Sequence, residues 1–210
     1  MMLERQFHAF LRRYAEAEAA TVAPFVVGER LLDLGAGEGY LAAALQERRE
    51  VWTCSVDVGG FRRTQAPYVM YDGTRLPFAD ATFDTTLILL ALHHCREPEA
   101  VLDEALRVSR RRLIVMESVY RSRVERFWLH LLDGWLNSYR HDGKMAVAFS
   151  FKDPDGWRRL FDSRGLRTLQ TQWLGPWWER LVHHPLLFVV DKPPRPAVCD
   201  RDDLGHGGEP

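Results

Sequence analysis

The chain lacks the features that mark a secreted, membrane-spanning or nucleic-acid-binding protein. Cysteine is scarce and odd in number: Cys54, Cys95 and Cys199 are scattered, with no paired spacing. This argues against a disulfide framework and against a paired-cysteine zinc site, so no metal is expected, and the expected setting is reducing and cytoplasmic. Excess charge is missing too, with a formal net charge of −1 over 210 residues. A whole-protein basic field that would gather nucleic acid is therefore absent, and the run Arg110-Arg111-Arg112 reads as a solvated start to a strand. The longest apolar run, 87–92, is far short of the ~20 residues that span a bilayer. Residues 1–20 are charged and helical in pattern rather than an apolar leader. No internal repeat is visible.

What is present suits one ordinary folded domain: 46% of residues are hydrophobic and 27% charged. Phe7, Phe10, Leu11 and Tyr14 recur at three- and four-residue spacing and predict a covering helix over about 3–20. Apolar segments at 31–34, 51–56, 68–71 and 112–116 read as strands, and 83–92 contains a further one. Helices are predicted at 40–48 and 98–108, the second with Pro98 in its first turn. Alternation of this kind implies a parallel sheet covered on both faces. The second half differs. Residues 119–150 read as an insertion rich in aromatics and histidine. Asp153-Pro154 then starts a helix that stops at Gly165, and 167–173 and 186–190 read as an antiparallel strand pair. Residues 193–210, with prolines, glycines and charges, read as a mobile tail.

The most informative stretch is Leu31-Leu32-Asp33-Leu34-Gly35-Ala36-Gly37-Glu38-Gly39-Tyr40-Leu41. A buried strand runs into three alternate glycines and then a helix. Glycine has no Cβ, so the chain can turn sharply and leave its backbone open to a ligand. The spacing is G-x-G-x-G with an acid two residues earlier, not the G-x-G-x-x-G of dinucleotide sites. The leading acid suits a ligand with a cation near the turn rather than a pyrophosphate.

With Leu76-Pro77-Phe78 and the strand start Phe83-Asp84, this pattern resembles the class I S-adenosylmethionine-dependent methyltransferases, closest to their small-molecule (methyltransferase type 11-like) group. The resemblance runs over about 31–192. It implies an α/β, Rossmann-like, seven-stranded, mostly parallel sheet with helices on both faces and the last strand antiparallel. It also implies a single domain over 1–192, S-adenosyl-L-methionine as cofactor, and 119–150 as a substrate lid. By the same resemblance Asp33, Gly35, Ala36, Gly37 and Gly39 border the methionine end of the cofactor. Asp57 and Val58 lie at its ribose, Asp72 and Gly73 at its adenine, and Leu90 beside it. An acid such as Asp57, at the end of the second strand, can accept hydrogen bonds from ribose hydroxyls.

The candidate catalytic residues are His93, His94, Tyr139 and His141. The histidine pair follows the fourth strand, and ligands of open parallel sheets bind beyond the carboxyl ends of strands. Histidine titrates near neutrality and could take a proton or orient a hydroxyl. Consecutive residues on a strand point to opposite faces, which disfavours a zinc site at His93-His94-Cys95. Trp128, His130 and Trp135 accompany Tyr139 and His141, and Trp177, Trp178, His183 and His184 follow later. Aromatic stripes at helical spacing are expected in a core; here they could also wall a cavity for a flat, apolar acceptor.

The chain departs from the family pattern at three places. The turn before the fifth strand, 108–112, lacks the usual proline and glycines. Only about ten residues join Asp57 to Tyr68, so the usual helix there is very short or absent. No amide-proline-proline motif follows Leu92, which argues against nucleobase amino groups as acceptors. The expected function is methyl transfer to an oxygen, nitrogen or carbon atom of a small molecule. Three other readings stay open: an RNA methyltransferase using a strip of Arg110 to Arg112 with Arg121, Arg123 and Arg126, a non-catalytic cofactor-binding partner subunit, and a nicotinamide dehydrogenase. Acceptor and oligomeric state are not encoded in any motif.

Overall fold

A computed structural model describes residues 2–140, 150–174 and 184–193. Seven strands form one sheet in the order β3-β2-β1-β4-β5-β7-β6. They are β1 Arg30–Leu34, β2 Trp52–Asp57, β3 Tyr68–Met70, β4 Phe83–Leu89, β5 Ser109–Ser118, β6 Arg167–Trp173 and β7 Pro185–Asp191. The first five are parallel to one another, and β7 runs antiparallel to both β5 and β6. The expected sheet and its reversed last strand are therefore present.

Strand alternation decides how the two faces are covered. On β5, Leu113 and Val115 enter one core while Ile114 and Met116 enter the other; on β1, Leu32 and Leu31 divide the same way. The helices are α1 Met2–Val22, α2 Tyr40–Arg49, α3 Pro98–Val108, α4 Arg123–Arg140 and α5 Pro154–Asp162. Ala15, Ala19 and Val22 of α1 and Leu41 and Leu45 of α2 cover one face. Leu102 of α3 and Trp157 and Phe161 of α5 cover the other. Each fully buried large apolar side chain contributes about 1.5–3 kcal/mol, so both faces must be sealed for a sheet this size to persist.

Several polar groups inside the sheet are paired, as burial favours. Thr85 donates to Val27 O at 2.7 Å, and Thr86 Oγ lies 2.6 Å from Ser109 Oγ. Asp84 accepts the N–H groups of Glu29 and Arg30, which ties the start of β1 to β4. Asp153 caps α5 through Gly156 N, and Gly165 ends that turn at φ +66°.

Within 83–92, strand β4 ends at Leu89, and Leu92–His94 is one 3-10 turn. Residues 58–67 contain no helix, as the short spacing implied. The missing proline and glycines at 108–112 leave no turn at all, because β5 starts one residue after α3 ends. The insertion 119–150 is helical over α4. The side chains of Trp135 and Tyr139 on α4, and His141, Trp177, Trp178, His183 and the segment 194–210, lie outside the described residues.

The arginine strip does not form. Arg110 to Arg112 begin β5, whereas Arg121, Arg123 and Arg126 follow its far end, about 30 Å away. Arg112 is also engaged, at 2.7 Å from Asp191 and 2.9 Å from Phe25 O, and Arg110 pairs with Asp84.

Candidate cofactor and acceptor cleft

The glycine turn sits at the carboxyl end of β1, next to the ends of β2 and β4. Gly35, Gly37 and Gly39 all have positive φ, at +78°, +53° and +80°. That sequence of left-handed residues is what the alternate glycines permit. At Gly35 a Cβ would lie 2.5 Å from Ala91 Cβ. The turn therefore presses directly on the loop after β4, and the backbone there stays bare. Gly35 N and Ala36 N both point to Val56 O, and Gly39 N bonds Ala36 O, which closes the bend.

Asp57 fastens this turn to β2. Its Oδ2 accepts from Gly37 N at 2.8 Å and its Oδ1 from Gly59 N at 3.2 Å. Tyr68 adds a second brace, its hydroxyl lying 2.9 Å from both Gly37 O and Gly59 O. Burial, reinforced by the Asp57 charge, pushes the Tyr68 phenol well above its usual range, so it stays a donor. Tyr68 had no distinguishing signal in the sequence.

Two cavities open here and share Gly35, Leu90 and His94. The larger holds about 510 Å³ and is lined by Asp57, Val58, Phe61, Asp72, Gly73 and Ala91 among others. The smaller holds about 140 Å³ and is lined by Asp33, Glu38 and Glu18, with Tyr14 and Leu11 from α1. Neither lysine nor arginine lines the smaller cavity.

Asp33 is buried, and its Oδ2 has no hydrogen-bond partner. Burial first, and then the charge of Asp57, push its carboxyl up to about 7, while an N–H from Ala42 pulls the other way. An orphaned buried carboxylate oxygen is costly unless something positive meets it. Asp72, at the rim of the larger cavity, is exposed. Its Oδ1 accepts from the Thr74 hydroxyl and N–H and from Arg75 N, which holds it below the usual carboxylate range. Asp72 thus forms the turn expected of an acid before Gly73, and its second oxygen borders the cavity.

Leu90 carries the strain of the site. Its φ is +54°, a region that costs a branched residue of order 1–2 kcal/mol. It is held by Leu90 N to Met116 O at 2.7 Å and by Glu117, whose Oε1 accepts both Ala91 N and Leu92 N. The other Glu117 oxygen lies 2.5 Å from His93 Nδ1. With both oxygens accepting, Glu117 fixes the Nδ1–H tautomer of His93. Glu117 is fully buried at the end of β5 and was not singled out from the sequence; an acid closing an otherwise apolar strand was the available signal.

The histidine pair is not arranged as a strand would place it. Within the 3-10 turn the two rings approach to 4.1 Å between centroids. His93 is buried and stacks on Phe151 at 4.9 Å, so it braces the wall. His94 borders both cavities and is the histidine in contact with the cleft. No group of three or more histidine, cysteine or acidic side chains among the described residues could hold a metal. His184, expected among the aromatics of an acceptor wall, instead sits 3.5 Å from Glu125 at the start of α4. Trp128, read as core, is exposed.

Comparison with known proteins meets this geometry on the cofactor side. Residues 32–114 match the methyltransferase domain family. The demethylmenaquinone methyltransferases of Beutenbergia cavernae and Clavibacter sepedonicus are each 41% identical, over 98 and 101 residues, or 43% and 44% of this chain. The chain spans 41% of the length of either of these curated relatives. A methyltransferase from Archaeoglobus fulgidus, described as SAM-dependent, shares the fold at TM-score 0.64 and 13% identity, covering 86% of this chain and 94% of its own. The [4+2]-cyclase SpnF shares it at 0.66 and 16%, covering 85% and 81%. The resemblance read from the sequence holds. The fold is that of the class I methyltransferases, and the matched family implies S-adenosyl-L-methionine as cofactor. The cyclase shows that the fold by itself does not name a reaction.

Proposed function

We propose that this chain, a class I methyltransferase fold with a methyltransferase domain over residues 32–114, transfers a methyl group from S-adenosylmethionine to a small, apolar, ring-bearing acceptor. One observation carries the reading. A small acidic cavity with an unpartnered Asp33 oxygen opens into a nucleoside-sized one beside Asp57. A ligand with a cationic amino-acid end and a neutral nucleoside fits that pair. A pyrophosphate would meet Glu18, Asp33 and Glu38 in the smaller cavity, with no lysine or arginine there to balance it, which disfavours a nicotinamide dinucleotide.

The residues present fit the cofactor. Asp33 and Glu38 would face its positive end, and Gly35, Ala36, Gly37 and Gly39 would leave room for it along the turn. Asp57 and Val58 would sit at the sugar, Asp72 and Gly73 at the base, with Leu90 as the floor. When bound, S-adenosylmethionine supplies an electrophilic methyl group. The protein's part is then to align the acceptor and exclude water, worth several kcal/mol in favourable cases. Leu90 and His94, shared by both cavities, are placed to touch an acceptor. His94 would orient an acceptor hydroxyl or take its proton late. Tyr139 and His141, the other proposed polar groups of the acceptor site, have side chains outside the described residues.

The relatives' names support a quinone-type ring as the acceptor class, and the matched region lies on the cofactor side. The test is a methyl-transfer assay with labelled S-adenosylmethionine against reduced quinones, phenols and amines. Labelled product from a ring acceptor, lost in Asp57→Ala, is expected. Cofactor binding without transfer to any acceptor would favour the partner-subunit reading instead.

A further inference from the structure

The outer face of α4 is the most apolar exposed surface among the described residues. Val124, Phe127, Trp128 and Leu131 are 66%, 63%, 51% and 53% exposed. Their spacing of i, i+3, i+4 and i+7 sets them in one stripe along the helix. Other large exposed apolar side chains lie singly or, like Phe10 and Tyr14, as a stacked pair. Leaving four such side chains in water opposes folding, so the stripe needs an occupant.

The opposite side of the same helix is anchored. Leu129 is buried with Phe151, and the His130 ring meets Phe151 at 4.9 Å. Phe151 in turn stacks on His93. The helix is thus fastened to the wall of the cleft by one face and offers the other outward.

Three arginines gather at the amino end of the stripe. Arg121, Arg123 and Arg126 are exposed at its amino end. The Arg121 guanidinium lies over the Trp173 ring, 5.2 Å from its centroid, and that of Arg126 over Tyr120 at 5.8 Å. The single acid in 121–131, Glu125, is turned inward, accepting Arg121 N and facing His184. An apolar stripe carrying a tryptophan with basic residues beside it matches the interface of an anionic bilayer. A neutral protein surface would leave the arginines without partners.

We propose that α4 docks the protein on an anionic phospholipid surface, with Phe127 and Trp128 inserted at the headgroup boundary. The surface stands on its own geometry and does not depend on the methyl-transfer reading.

The test is sedimentation of the full chain with vesicles of phosphatidylcholine alone or with about a third phosphatidylglycerol. Cosedimentation only with the anionic vesicles is expected, with a blue-shifted tryptophan emission that Trp128→Phe removes. Phe127→Ser with Trp128→Ser should lower partitioning at least about tenfold, and Arg123→Glu should lower it and its salt sensitivity. S-adenosylmethionine affinity should not change in these variants, which separates failure here from failure of the cofactor site. No binding to either vesicle, or binding unaltered by the variants, would overturn the proposal. So would concentration-dependent dimerisation abolished by the same variants, because a second copy would then cover the stripe.

Discussion

The parts of the chain before and after β5 are built on different principles. Before it, function is written in backbone. Gly35, Gly37 and Gly39 adopt left-handed conformations, and Asp57 accepts two N–H groups from the loops it joins. After it, the exposed and buried faces of α4 are made from ordinary aromatic and aliphatic residues. A ligand gripped by main chain forces glycines and acids at fixed spacing. An apolar partner asks only for area, which many sequences supply.

The comparison can be broken most sharply at Asp57. Asp57→Ala removes the acceptor of Gly37 N and Gly59 N together with the expected sugar contact. Cofactor affinity should fall by about 3–4 kcal/mol, roughly two to three orders of magnitude, by calorimetry. A substitution on the outer face of α4 should leave that affinity within about twofold. Equal losses from both would erase the distinction between the two regions.

Gly35→Ala is next. The new methyl group would stand 2.5 Å from Ala91 Cβ in a residue at φ +78°. A stability loss of about 2–3 kcal/mol is expected by denaturant unfolding, from backbone strain and overpacking together.

Asp33 gives a pH signature. Its carboxyl, raised to about 7, keeps its proton in the folded, unliganded protein across a range where the unfolded chain has lost it. Its contribution to stability therefore falls as pH rises from about 4 to about 7. A cationic ligand needs the ionised form, so S-adenosylmethionine affinity should rise as pH climbs toward 7 and level off above it. The slope should approach about tenfold per unit below 7, and Asp33→Asn should flatten it.

The smallest effect falls at the junction of the two regions. Glu117→Gln keeps the shape but gives the group facing His93 a donor. About 1 kcal/mol of stability should be lost. Cofactor affinity should be nearly unchanged, while the pH profile of any methyl transfer should move. An unchanged profile would restrict Glu117 to bracing the loop.

The same contrast explains what the sequence made legible. The glycine turn, Asp57 at the end of β2 and the order of strands and helices followed from spacing, because backbone geometry constrains residue type, whereas the cofactor roles of Asp33, Asp57 and Asp72 came from the family resemblance and stand as proposals. The missing helix over 58–67 followed from chain length alone. Glu117 and Tyr68 escaped notice because their roles depend on which loops the folded sheet brings together. His93 and His94 follow β4 as expected, but the division between them, His93 in the wall and His94 on the cleft, is set by a 3-10 turn that spacing did not show. Trp128 was assigned to a core because periodicity gives a stripe without saying which way it faces.

Calorimetric titration of S-adenosylmethionine into the full chain at pH 8, beside the Asp57→Ala variant, tests the central claim most directly. Saturable one-to-one binding is expected, weakened at least about 100-fold in the variant. No binding up to millimolar ligand, or identical affinities for the two proteins, would contradict the assignment of the cleft.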